Sequence, residues 1–559
     1  MTEAETETLM RSGVAHHVEG RLGEAQSVYL EVLQRQPEHA GALHLLGLIA
    51  FQSGEADKAV DLFDHAIAVR PDFPEAYDNR GTALYALGRY EDAVASYDRS
   101  IALKPGQAGP HANRGNALQT LHRGEEALTA FDTAIALDPE FADGFNNRAV
   151  TLMQLDRAQE ALGSADEALR IMPGFAAAHT HRGNALHALG RLEEALVSHE
   201  AALRLHPDYA EAWCNRALAL SDLGRHEAAA ADHARAVALK PDFAIARFNL
   251  GIELLQLGRL EDGWDGYEWR GLAEAGMAPR TYPQPRWTGQ EVRDRTVLVY
   301  HEQGLGDSIQ FCRYAAMLAG RGARVVLAAP ASLHPVLWTL EPRVRVIGQN
   351  DDPGPFDFYC PMASLPQSFG TRLDSIPAPA RYLAADETSR AQWAVALGEK
   401  VRPRIGVVWG GSRLLKNDGR SILFDQFRSL ISDVLVPGGA DWICLQNQLW
   451  PADAEAAANG SGVRYVGDQL KSFGDTAALI EQMDLVVTVD TSVAHLAGAM
   501  GKPVWIMLMF NADWRWLLGR DDSPWYPSAR LFRQAQPGDW TSVLEDVRQT
   551  LPKFLEGLG

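Results

Sequence analysis

The chain has 559 residues, 46 % hydrophobic and 22 % charged, with a formal net charge of −20. That balance fits a soluble globular protein of two or three folded units and opposes broad affinity for nucleic acid or anionic membranes. The opening MTEAETETLMRSG has no apolar core and no stretch approaches 18 uninterrupted apolar residues, so neither a signal peptide nor a spanning helix is expected and the cytoplasm is the default.

Seven prolines, Pro37, Pro71, Pro105, Pro139, Pro173, Pro207 and Pro241, stand 34 residues apart. Laid out at that period, Gly47, Gly81, Gly115, Gly183 and Gly251 align, with Ala149 and Ala217 in the same column; small residues recur where helices cross closely. A second column, Gly54, Gly88, Gly190, Gly224 and Gly258, falls between two amphipathic stretches and predicts the turn of a helical hairpin. A third, from Ala25 through Ala59, Ala93, Ala127, Ala161 and Ala195 to Ala229, sits early in the second helix, and the prolines close it. These columns resemble the tetratricopeptide repeat, over about eight repeats in residues 11–270. An array of this kind is a surface for holding another molecule, so any chemistry is sought further along the chain.

Within the first helices Asn79, Asn113, Asn147, Asn215 and Asn249 form a further column, broken by His181. Asparagine is a poor helix former, so its recurrence asks for a reason. Lining a concave surface, such amides could hydrogen-bond an extended peptide backbone whatever its side chains; the alternative is that they bond neighbouring helices and specify packing. The array resembles that of the protein O-GlcNAc transferases, where such a ladder is a hallmark, and this implies peptide binding at the five asparagines. The histidines His111, His179, His181, His187, His199 and His206 occupy different repeat positions, which argues against a metal cluster.

Residues 271–293 form a junction, and the aromatics Trp264, Tyr267, Trp269 and Trp287 around it are too many for a floppy linker. They are expected either to pack the array against the following domain or to cap its last repeat.

From residue 294 short apolar runs alternate with helical stretches, which predicts parallel sheets covered on both faces. The stretch 387–403 reads as a helix and connection between two doubly wound domains, 294–385 and 386–559. The four cysteines, Cys214, Cys312, Cys360 and Cys444, are far apart and read as ordinary thiols.

Three segments carry chemistry. In the first, His301-Glu302-Gln303-Gly304-Leu305-Gly306-Asp307 leaves a strand and enters a helix, which puts backbone amides and Asp307 at the carboxyl edge of a sheet. Asp307 could equally be a helix cap. In the second, Asp490-Thr491-Ser492-Val493-Ala494-His495 is again strand, turn and helix, and its free amides and hydroxyls suit a diphosphate, with His495 one turn in. In the third, the loop 410–420 carries Lys416 and Arg420, cations that could neutralise leaving-group charge or simply make a solvated basic loop. Downstream, Trp514, Arg515, Trp516, Arg520, Trp525 and Tyr526 could wall a nucleotide or sugar, or pack in the interior.

The segment DTSVAHLAGAMGKPV resembles the donor-phosphate motif of the heptosyltransferase-like glycosyltransferases (family 9), and GLGD resembles the N-terminal motif of the same family. This resemblance implies an α-solenoid followed by an α/β GT-B fold of two Rossmann-like domains, the first on the acceptor side and the second holding a nucleotide-sugar. It implies Asp307 as general base, with Gly304, Gly306, Lys416, Asp490, Thr491, Ser492 and His495 at the donor; Ser492 stands where the family usually has glycine. It further implies an inverting transfer with neither metal nor cofactor, the nucleotide-sugar being a co-substrate. Joined to the array, it implies transfer to a hydroxyl of a protein acceptor. Some bacterial proteins that join such an array to such a domain are linked to flagellin modification, which makes flagellin a candidate acceptor. Two rivals stay open: an adaptor that binds a nucleotide-sugar without turnover, and a transferase acting on a cell-envelope glycan.

Overall fold

From Glu3 to Tyr267 the chain runs through sixteen helices arranged as hairpins, each beginning one repeat after the last. The computed structural model describes residues 3–273, 280–411, 419–432, 439–451, 453–454 and 462–558. The fold divides into two compact units, Met1–Ala219 and Leu220–Gly559.

In the first unit the columns of the sequence acquire a steric meaning. A Cβ added at Gly47, Gly81 or Gly115 would lie 2.6, 2.6 or 2.7 Å from the ring of Phe63, Tyr97 or Phe131, sixteen residues on in the paired helix. Glycine is therefore required by the aromatic that crosses it. In one repeat both partners change together, Ala149 standing where glycine does and Ala165 where the ring does, and both are fully buried. The turn glycines Gly54, Gly88 and Gly190 have φ between +73° and +80°, the left-handed conformation that ends a helix without a Cβ penalty. His122 and Asp156 occupy the same place at φ 57° and 59°.

The second unit contains the last repeat helices, Ala244–Gln256 and Leu260–Tyr267, and two parallel sheets. The first sheet has the order β3-β2-β1-β4, with β1 Thr296–Tyr300, β2 Arg324–Ala329, β3 Val344–Gly348 and β4 Phe358–Pro361. The second has the order β10-β9-β8-β5-β6-β7, with β5 Arg404–Val408, β6 Asp441–Cys444, β7 Val463–Tyr465, β8 Leu485–Val489, β9 Val504–Leu508 and β10 Ala529–Arg533. All eight strand pairings are parallel. In each sheet the chain moves out to one side of its first strand and then crosses to the other, so β1 and β4, and β5 and β8, flank a reversal of strand order. Ligands bind outside the carboxyl ends of strands at such a reversal. Helices run between the strands, and the chain thus combines a helical solenoid with Rossmann-like sheets of the GT-B type.

The aromatics around the junction belong to the core of this second unit. Trp264 donates from Nε1 to the Thr371 carbonyl at 2.8 Å and meets Trp514 edge to face at 5.4 Å, while Trp287 is fully buried. Trp269 lies under the Arg247 guanidinium. Arg270, also buried, donates to Glu302 and to Ser364, each at 2.6 Å, and thereby ties the segment after the last repeat to the end of β1.

Candidate functional site

The loop after β1 delivers Asp307 at the third position of helix Leu305–Gly320. Its Oδ2 accepts from the Gly304 backbone N–H at 2.7 Å, so Asp307 does cap the helix. Its Oδ1 accepts from Arg515, whose other arm holds Asp513 at 2.8 and 3.0 Å. Arg515 has a side chain only 8 % exposed, against 22 % for Asp307. Burial works to raise the Asp513 carboxyl, but the charge and hydrogen bonds of Arg515 win and hold it below the ordinary carboxylate range.

Helix Ser492–Ala499 follows β8, and no side chain caps its N-terminus; the Thr491 hydroxyl sits 3.2 Å from that of Thr488. Uncapped first-turn amides with the helix dipole behind them make an anion site. Asp490, at the end of β8, is buried. Burial and then the charge of Asp513 push its carboxyl up to about 6, against the pull of Arg420 and Arg515. Arg420 therefore stands in electrostatic reach of this turn, as the second candidate cation of the 410–420 loop. Lys416, the first candidate, lies outside the described residues.

His495 departs from its expected place. It is buried, its ring stacks on Trp516 at 5.3 Å, and Nδ1 lies 2.9 Å from the Tyr526 hydroxyl. Burial, then the nearby Arg515, lowers its pKa to about 3, so the imidazole is neutral and offers an anion no positive charge. What it does instead is pack the two helices of the site together: a Cβ on Gly306 would meet His495 Cδ2 at 2.8 Å, which explains glycine there. Trp516, Trp525 and Tyr526 are likewise interior packing, whereas Trp514, though buried, also reaches the wall of a cavity.

Asp307 opens on a cavity of about 520 Å³. Gln303, Gly304 and Asp307 line it from the loop after β1, Asn511 to Arg515 from the loop after β9, and Phe248, Asn249, Ile252 and Gln256 from the last repeat. Gln256 is buried and donates to Asn511 Oδ1 and to the Ala512 carbonyl, both at 3.1 Å, which fixes the repeat helix to the loop that carries Arg515. Sequence reasoning does not single out Asp513, Asn511, Gln256 or Gln303. The signal it could use for Asp513 is its spacing two residues before Arg515, at the start of a 3-10 turn whose Arg515 amide the carboxylate caps.

The asparagine column divides. Asn79 Nδ2 lies 2.8 Å from His44 Nε2, Asn113 Nδ2 donates to Asp78 at 3.2 Å, and Asn147 Nδ2 donates to Asn116 at 3.0 Å. His181, which breaks the column, bonds Asn146 at 2.7 Å in the same cross-repeat manner. These amides stitch each repeat to the one before. Asn215 and Asn249 have no hydrogen-bond partner among the described residues, and only Asn249 lines the cavity with Asp307.

Comparison with known proteins accords with both halves. Tetratricopeptide-repeat profiles match residues 47–88, 81–121 and 183–224, and 113–176 and 215–263. The profile of glycosyltransferase family 9 (heptosyltransferase) matches residues 470–508, which span β8 and the turn at 490–495. Protein FlbA of Caulobacter vibrioides is 29 % identical over 318 residues, 52 % of each chain, so the match spans about half of that relative's length. Among solved structures, YrrB, a tetratricopeptide protein with an unusual peptide-binding site, is 24 % identical over 34 % of this chain and 96 % of its own, with a TM-score of 0.29. The Cut9–Hcn1 assembly is 18 % identical over 43 % of this chain and 48 % of its own, at 0.38. The chain thus carries tetratricopeptide repeats and a region similar to family 9 glycosyltransferases.

Proposed function

We propose that the chain is a glycosyltransferase that moves a sugar from a nucleotide-sugar to a hydroxyl of a polypeptide. The observation that carries this reading is the placement of Asp307: it sits at the carboxyl end of β1, on a cavity, bonded to Arg515, whose charge, with that of Asp513, also acts on Asp490. In the reaction the acceptor oxygen bonds to the anomeric carbon and the bond from that carbon to the phosphate oxygen breaks. The nucleotide diphosphate leaves with the electron pair, and the hydroxyl proton passes to Asp307. The amides at the start of helix Ser492–Ala499 face the charge that develops on the leaving group, and Arg420 with Lys416 adds positive charge. Attack opposite to departure inverts the anomeric centre. Asp490 orients the donor end of the site. The mixture of repeats and family 9 likeness supports a protein acceptor, and flagellin is the first to examine.

Intact-mass analysis of proteins recovered with this chain from its own host tests the reading. Wild type should leave a sugar-sized increment on its acceptor, and Asp307→Asn should cut that transfer by about 10²–10⁴-fold, the range for loss of a general base. Equal loss of donor binding in the variant would instead make Asp307 a structural residue.

A further inference from the structure

Arg313 lies further along helix Leu305–Gly320, the helix that delivers Asp307, and it is only 2 % exposed. Among the described residues no carboxylate pairs with it. Its hydrogen bonds go to neutral oxygens instead: Nε donates to the Gln310 carbonyl at 2.7 Å, Nη1 to the Pro377 and Trp525 carbonyls, both at 2.8 Å, and Nη2 to the Tyr382 hydroxyl at 2.8 Å. The guanidinium also stands over the rings of Tyr382, Tyr526 and Trp525, at 4.5, 4.8 and 5.6 Å from their centroids. A charge taken out of water with no opposite charge beside it is costly, and here carbonyls and ring faces alone offset that cost.

The residues that hold Arg313 also hold helix Ser492–Ala499. The Tyr382 backbone N–H donates to the Ala499 carbonyl at 2.9 Å, at the end of that helix. Tyr526 packs so closely on it that a Cβ on Gly498 would lie 2.5 Å from the Tyr526 ring, and the Tyr526 hydroxyl is 2.9 Å from His495 Nδ1. One guanidinium therefore joins the helix that begins at Asp307 to the residues that grip its counterpart from His495 to Ala499.

We infer that Arg313 is a positioning residue, a latch between the two sheets that sets Asp307 against the turn at 490–492. Its part in transfer rests on the transferase reading above, whereas the latch stands on the contacts alone. Because the charge has no carboxylate partner, opening the interface returns it to water, and the closed arrangement depends on each carbonyl and ring being in place. Lysine does not meet that demand: it keeps the charge but has no planar fork to reach Pro377, Tyr382 and Trp525 together and no plane to lay on the rings.

Cys312 supplies the probe. It is fully buried, and its thiol lies near enough to the Tyr382 and Tyr526 hydroxyls to act on both, so it reports on this interface. Cys360 in β4 and Cys444 in β6, also fully buried, report on the cores of the two sheets. The purified full chain is treated with N-ethylmaleimide, and labelling is followed cysteine by cysteine by mass spectrometry. Arg313→Lys should speed labelling at Cys312 by about tenfold or more, as the loss of hydrogen bonds to a charged group implies, with Cys360 and Cys444 unchanged. In the host the same variant should lower the sugar-sized increment on the acceptor by about tenfold or more, since a misplacement of about 1 Å can cost about 10²-fold. Tyr382→Phe removes one acceptor and no charge; it should shift Cys312 the same way by less, and it decides the matter if the lysine variant does not fold. Equal acceleration at all three cysteines would make Arg313 a contributor to general stability, and unchanged labelling at Cys312 would remove the latch. Faster labelling there with full transfer would overturn the positioning of Asp307. If Asp307→Asn changes no protein's mass, the transferase reading fails, and the cysteines still decide the latch.

Discussion

Arg515 holds Asp307 with one arm and Asp513 with the other, so a single buried guanidinium links the loop after β1 to the loop after β9. Removing one partner of a buried ion pair costs about 3–5 kcal/mol, because the other charge is left without compensation. Arg515→Met leaves two carboxylates in that position. Its denaturant midpoint should fall by an amount in that range, and Arg515→Lys, which keeps the charge but lacks the planar fork, should recover only part. A midpoint for Arg515→Met equal to wild type would show that the pair contributes nothing to the fold.

His199 takes the place in its repeat that Phe63, Tyr97 and Phe131 take in theirs, against Gly183. It is fully buried with neither ring nitrogen hydrogen-bonded, and burial, then the charges of His187 and Arg216, lowers its pKa to about 3. The folded state therefore keeps it neutral while the unfolded chain protonates it below about 6.5. Stability from this source is complete above that pH and drains away as the pH falls toward 3. His199→Phe should raise the melting temperature at pH 7, since an unsatisfied polar group costs about 1–3 kcal/mol, and raise it further at pH 5. A variant whose advantage does not grow on acidification would refute the assignment.

The repeat register, the parallel sheets and the strand-turn-helix form of the segments at 301–307 and 490–495 were legible because each rests on local pattern: a period of 34, apolar runs, glycines or small polar residues before helices. Asp307 and Asp490 could be found from the turns that carry them. Their partners could not. Arg515, with Asp513 bonded to its other arm, meets Asp307 across a separation of 208 residues, and no periodicity reports such a meeting. The asparagine column left both of its readings open for a related reason, since a carboxamide that bonds a neighbouring helix and one that awaits a peptide have the same spacing. His495 was legible as a helix residue near the donor turn, but its burial against Gly306 depends on how two helices from different sheets pack.

The glycine column makes a coupling measurable. Gly115→Ala forces a methyl to 2.7 Å from the Phe131 ring and should cost about 1–3 kcal/mol, as overpacking does. Phe131→Ala alone should cost about 3–5 kcal/mol. The double variant reproduces the arrangement already present at Ala149 and Ala165, so its loss should be smaller than the sum by about 1 kcal/mol or more. Strict additivity in urea unfolding would mean that the ring and the glycine do not constrain one another.

Asp490 shows stability and chemistry pulling in opposite directions. Its carboxyl is raised to about 6 by burial and by Asp513, so the folded state binds its proton more tightly than the unfolded chain does. The stabilisation from that proton is complete below about pH 4 and is lost as the pH rises through 6. At pH 7.5 the fold carries a buried carboxylate beside another one. Asp490→Asn removes the charge with little change of shape and should stabilise the second unit at pH 7.5 by about 3 kcal/mol, two pKa units at about 1.4 each. Below pH 4 the variant and wild type should converge. Donor use should fall in the same variant, because the charge retained at this cost in stability lies at the turn assigned to the nucleotide-sugar. Melting curves from pH 4 to 8 decide it: parallel profiles for the two proteins would show that Asp490 does not titrate in this window, and full transfer by Asp490→Asn would remove it from the donor site.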